Sequence, residues 1–80
     1  MATKYDLRDW LGDALKAHDG SATIVEVCRH IWKNHKDELL ASGDLFYTWQ
    51  YDVRWAATEL RKTRILRPAD ASRSGIWELL

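Results

Sequence analysis

Asp19-Gly20-Ser21, Ser42-Gly43-Asp44 and the run Pro68-Ala69-Asp70-Ala71-Ser72-Arg73-Ser74 interrupt this chain with residues that readily leave helix or strand geometry. The segments between them are short, and each carries its own hydrophobic period. In the first, Leu7, Trp10, Leu11, Ala14 and Leu15 recur at steps of three and four, which predicts an amphipathic helix over about residues 4–19. Gly20 is expected to close it, since glycine accepts the left-handed conformation at a helix end. Thr23-Ile24-Val25-Glu26 then has the spacing of a capping box, so a second helix is predicted over about 23–41. Its buried stripe is Ile24, Val27, Cys28, Ile31 and Trp32, and Asn34-His35 loosens its second half. A third helix is predicted over about 45–63, with Trp49, Val53, Ala56, Ala57 and Leu60 in one arc. Ile65-Leu66-Arg67 and Gly75-Ile76-Trp77-Glu78-Leu79 read as strands of a terminal hairpin, about 65–68 and 75–79, with Trp77 in the core. The extended Ser21-Ala22 stretch can add a third strand.

At 80 residues the chain has room for one domain of about the smallest size that folds unaided. Cys28 is the single cysteine, so no internal disulfide can hold the fold, and five tryptophans must supply much of its packing. No apolar stretch approaches the roughly 18 residues of a membrane span. The start Met1-Ala2-Thr3-Lys4-Tyr5-Asp6 has no secretory h-region, so a cytoplasmic location is expected.

Twelve basic and twelve acidic groups cancel, but they are not mixed evenly. Residues 1–50 hold six basic and eight acidic side chains. Between Arg54 and Arg73 there are six basic groups (Arg54, Arg61, Lys62, Arg64, Arg67, Arg73) against Glu59 and Asp70. An anionic partner is expected to dock on this later segment.

Three helices followed by a hairpin is the α+β element order of a winged helix-turn-helix domain. In that fold the third helix enters the DNA major groove and the hairpin wing follows the backbone or the minor groove. Val53-Arg54-Trp55-Ala56, Leu60-Arg61-Lys62, Ile65-Leu66 and Arg73-Ser74-Gly75-Ile76-Trp77-Glu78-Leu79 further resemble the N-terminal winged-helix domain of Mrr-type restriction endonucleases. The Thr23-to-Val27 segment is similar to that family's second-helix start, so the resemblance covers most of residues 5–79. One departure is Arg64, where the family usually has the glycine that closes helix three. The other is the nuclease domain: no acidic residue here is followed two places later by Lys, as a restriction-type metal site would need. The resemblance therefore implies a stand-alone double-stranded DNA reader and no cutting activity.

The candidate DNA-binding residues are Tyr47, Thr48, Tyr51, Arg54, Thr58, Arg61, Lys62, Arg67 and Arg73. Arg54, Thr58 and Lys62, at i, i+4 and i+8, line one edge that can present a guanidinium to guanine and an ammonium to phosphate. Tyr47 and Tyr51 can reach phosphates or thymine methyls. Arg67 and Arg73 flank the wing loop as phosphate contacts. For each of these the plain alternative is a solvated surface side chain, or for the tyrosines packing against the loop after helix two. Trp55 falls on the polar arc, where it is expected to pack beneath the wing or against the end of helix two. A second function class is a protein-interaction or homodimerisation module built on Tyr47, Tyr51 and Trp55. Cys28 and His35 share a helix face, but zinc needs three or four convergent ligands, so Cys28 is read as a buried small apolar residue and no metal is expected. No catalytic constellation, cofactor motif or small-molecule substrate site is expected, because the four glycines are dispersed and no Ser-His-Asp or Cys-His set can be placed.

Overall fold

The computed structural model describes residues 2–71 and 73–80; Met1, and Ser72 of the Pro68–Ser74 loop, lie outside the described residues. Helix α1 covers Asp6–Ala17, strand β1 Ser21–Thr23, α2 Ile24–Leu40, α3 Leu45–Lys62 and β2 Ile76–Glu78, with a short 3-10 turn at Ala69–Ala71. All three helices fall within two residues of the expected bounds. The result is a small α+β domain with three helices and a two-stranded antiparallel sheet.

The helix ends follow from local chemistry. At the end of α1, Gly20 N–H donates to the Leu15 carbonyl at 2.7 Å and Asp19 N–H to Lys16 at 3.3 Å, the pairing of a Schellman motif. Asp19, at φ 60°, takes the left-handed position that the sequence assigns to Gly20, and Gly20 follows it at φ 100°. The same closure ends α3: Ile65 N–H donates to Leu60 at 2.8 Å and Arg64 N–H to Arg61 at 3.1 Å, with Arg64 at φ 62°. Arg64 thus adopts the backbone shape usually left to glycine. The start of α2 is a complete capping box, in which the Thr23 hydroxyl accepts from Glu26 N–H at 3.1 Å and Thr23 N–H donates to Glu26 Oε1 at 2.9 Å. His35, at φ −130°, kinks α2 at the expected place; just before it, the Asn34 side chain donates back to the His30 carbonyl.

Strand β1 pairs with β2, Ser21 opposite Glu78, Ala22 opposite Trp77 and Thr23 opposite Ile76. The expected hairpin needs correction. Its first strand, 65–68, reduces to one bridge between Leu66 and Leu79, supported by Arg67 N–H to Glu78 and Leu80 N–H to Ile65. The optional third strand is instead the main partner of β2. Arg67 is followed immediately by Pro68, which has no N–H to donate and so cannot extend the ladder.

The core lies where α1 packs on both α2 and α3. Leu7, Leu11 and Leu15 from α1 meet Val27, Ile31 and Leu39 from α2 and Val53 and Ala56 from α3, all fully buried. Leu66 and Trp77 close it at the sheet. The five residues expected in the buried arc of α3 are all buried, and Leu45 joins them. Trp32 and Ile24 are only half-buried.

Candidate nucleic-acid interface

Because α3 buries one side against α1 and α2, its opposite side stands in solvent. Tyr47 is 83% exposed and Tyr51 78%, and Arg54, Thr58 and Lys62 are exposed beside them. At 1.5 Å per residue the strip from Tyr47 to Lys62 is about 22 Å long, enough to cross a DNA major groove. Arg54 forms no ion pair among the described residues, so its guanidinium is available to a ligand. The Thr58 hydroxyl donates to the Arg54 carbonyl at 3.2 Å, which leaves its lone pairs outward. Lys62 pairs with Glu59 at 3.1 Å in an exposed contact that a phosphate can displace at little cost.

Two candidates do not join this strip. Thr48 lies on its flank, where its hydroxyl donates to Asp52 Oδ2 at 2.7 Å. Arg61 is half-buried, and its Nε is enclosed without a hydrogen-bond partner among the described residues, so its shaft packs against the domain. Arg67 is paired with Glu78 at 3.5 Å, whereas Arg73 is exposed. Both sit on the segment that returns to the start of α2 through Ile24 N–H and the Gly75 carbonyl, 3.1 Å apart. The loop is thereby anchored beside the helix pair.

Trp55, expected beneath the wing or against the end of α2, is found against the start of α1. It is half-buried there, edge-on to Tyr5 at 5.6 Å, with Lys4 Nζ 4.5 Å above its ring and Arg8 5.4 Å from the Tyr5 ring. Lys4 and Arg8 thereby add two cations beside α3 that composition alone placed in the acidic half of the chain. The helical period of residues 7–15 gives the buried stripe of α1 but not what its other faces meet.

Cys28 is likewise half-buried, not buried as its place on the apolar stripe of α2 predicts. It faces an open groove between α2 and α3, and burial pushes its thiol up while nearby Arg54 opposes that shift. His35 lies at the kink, stacked on Trp10 at 3.9 Å and bonded to Glu38 at 2.8 Å, so it does not share a site with Cys28. His30 is held below its ordinary value by burial first and then by His18 and His35, and its Nδ1 has no hydrogen-bond partner among the described residues. Among the described residues no group of three or more His, Cys, Asp or Glu side chains is placed to hold a metal. No helix among them is long and apolar enough to cross a membrane.

The chain matches no protein-family model, and no curated protein or solved structure matches it significantly.

Proposed function

We propose that this chain is a winged helix-turn-helix domain that binds double-stranded DNA, with α3 in the major groove and the Arg67-to-Arg73 segment, as the wing, along the backbone. The observation that carries this reading is the α3 strip: two tyrosines, a free arginine, a threonine and a lysine on one solvent face of a helix whose other face is core. The resemblance of residues 53–79 to the Mrr-type pattern supports it, as does the cationic surplus of residues 54–73. In this reading the protein is a cytoplasmic reader, not an enzyme.

A backbone amide titration with a mixed-sequence duplex tests it. At about 50 mM salt, shifts are expected over Tyr47–Lys62 and Arg67–Arg73, fading at about 200 mM as counterion release weakens phosphate binding. Arg54→Ala should cost about 1–3 kcal/mol and relax preference at one base position, while Arg73→Ala weakens all sequences alike. No shifts at low salt would refute DNA binding.

The exposure of Tyr47 and Tyr51 favours a second reading, a protein-docking or homodimer surface that also includes Trp55. Aromatic docking of this kind is insensitive to salt, so the same titration separates the two.

A further inference from the structure

The groove between α2 and α3, about 590 Å³ in volume, has apolar walls and a cationic rim. Trp32 and Trp49 lie across it with ring planes 5° apart and centroids 6.1 Å apart, and Phe46 flanks Trp32 at 6.4 Å. Val25 stands 58% exposed at its mouth. Arg29 and Arg54 line its edges, no acidic side chain among the described residues lines it, and Lys36 Nζ sits 5.6 Å from the centre of the Trp32 ring.

We propose that this groove docks an amphipathic acidic helix of a partner protein, its apolar stripe on Val25, Trp32 and Phe46 and its carboxylates on Arg29 and Arg54. Charge complementarity selects the occupant. A phosphate backbone satisfies the arginines but leaves the aromatic walls unmatched, and a neutral apolar helix leaves two guanidiniums facing hydrocarbon. A second copy of this chain does not fit either. The apolar stripes of α1 and α3 are already buried in its core, and the exposed face of α3 is cationic like the groove itself. The proposal does not rest on DNA binding, because its readout requires no nucleic acid.

The test uses the full chain and two synthetic peptide amides of about 15 residues, near the shortest length at which an isolated helix persists. One carries leucine at helical spacing with glutamate elsewhere; the other has lysine for every glutamate. The glutamate peptide is expected to shift the amides of Val25, Arg29, Trp32, Phe46 and Gln50 and to change tryptophan fluorescence at sub-millimolar concentration. Arg29→Glu, at an exposed position that leaves the fold intact, should weaken it about tenfold or more, and the lysine peptide should bind at least about tenfold more weakly. Absence of shifts at about 1 mM, or equal binding of both peptides, would overturn the proposal. So would the same shifts on raising protein concentration alone, which would make the occupant a second copy, or on adding duplex without competition from the glutamate peptide, which would assign the groove to DNA.

Discussion

The capping box at Thr23 sets where α2 begins, and its removal has a calculable effect. Thr23→Ala deletes the hydroxyl that accepts from Glu26 N–H but leaves the Thr23 N–H free to donate to the Glu26 carboxylate, so one of the two reciprocal bonds is lost. Loss of a threonine cap costs about 1 kcal/mol, which in a domain of this size lowers Tm by about 4–8 °C. Thr23 also ends β1, opposite Ile76, so part of any loss could come from the strand. Thr23→Ser separates the two, because serine keeps the cap and lacks the β-branch. Urea unfolding followed by tryptophan fluorescence should show Thr23→Ala shifted to a lower midpoint at unchanged slope, with Thr23→Ser close to the parent.

Glu26 supplies a second test of the same contact. Its carboxyl is held below the ordinary value of 4.5, chiefly by the Thr23 N–H and then by the Thr23 hydroxyl. A carboxyl lowered by folding contributes stability that is fully present above the unfolded value and lost as pH falls through the folded one. The parent should therefore lose stability more steeply below pH 4.5 than Glu26→Gln does. If Thr23→Ala and Thr23→Ser lose equally, or the acid limbs of parent and Glu26→Gln coincide, the box does not stabilise the start of α2 and the reasoning fails.

Arg64→Gly should raise stability by about 0.5–1 kcal/mol, since glycine relieves the left-handed backbone that closes α3; a lower urea midpoint would contradict this. Trp77→Ala, in a strand paired through three residues, should cost about 3–5 kcal/mol and bring the domain close to unfolding, read from loss of amide dispersion. His30 is held low in the fold, so the unfolded chain takes up its proton first and stability declines as pH falls through about 6.5. His30→Gln should flatten the urea midpoint between about pH 7.5 and 5.5, and an unchanged slope would show that His30 is not the group responsible.

Helix positions were legible in the sequence because each is specified locally, by a period of three and four, a capping box and breaks at Gly20 and Gly43. Partners across the fold were not. Leu66 and Leu79 were visible as strand residues, yet nothing local distinguishes the pairing of β2 with Ser21–Thr23 from a full hairpin with 65–68. That choice depends on where α2 starts, through the bond from Ile24 to Gly75. Trp55 shows the same limit: its place on the helical wheel was correct, but what it meets is decided by the distant Lys4 and Tyr5. The exposed strip of α3 was readable for the converse reason, since a face that meets no other element is fixed by its own helix alone. The groove was not legible because Trp32 and Trp49 read as core when each helix is taken separately.

The charge pattern acquires its meaning only in three dimensions. Along the sequence, Arg29, Lys4 and Arg8 belong to a half with an acidic surplus, and none of them draws attention. Folding moves Arg29 to the groove rim beside Arg54, and sets Lys4 and Arg8 against the ring pair of Trp55 and Tyr5 on the other flank of α3. The tyrosine strip is thus bordered by cations on both sides. Because Arg54 belongs both to the strip and to the groove rim, one guanidinium is shared by the two proposed ligands. An acidic helix that holds Arg54 withholds it from a base, and by linkage a duplex that holds Arg54 weakens the helix by the same factor. On these proposals, partner docking and DNA reading would compete directly through this side chain, without any change in the fold.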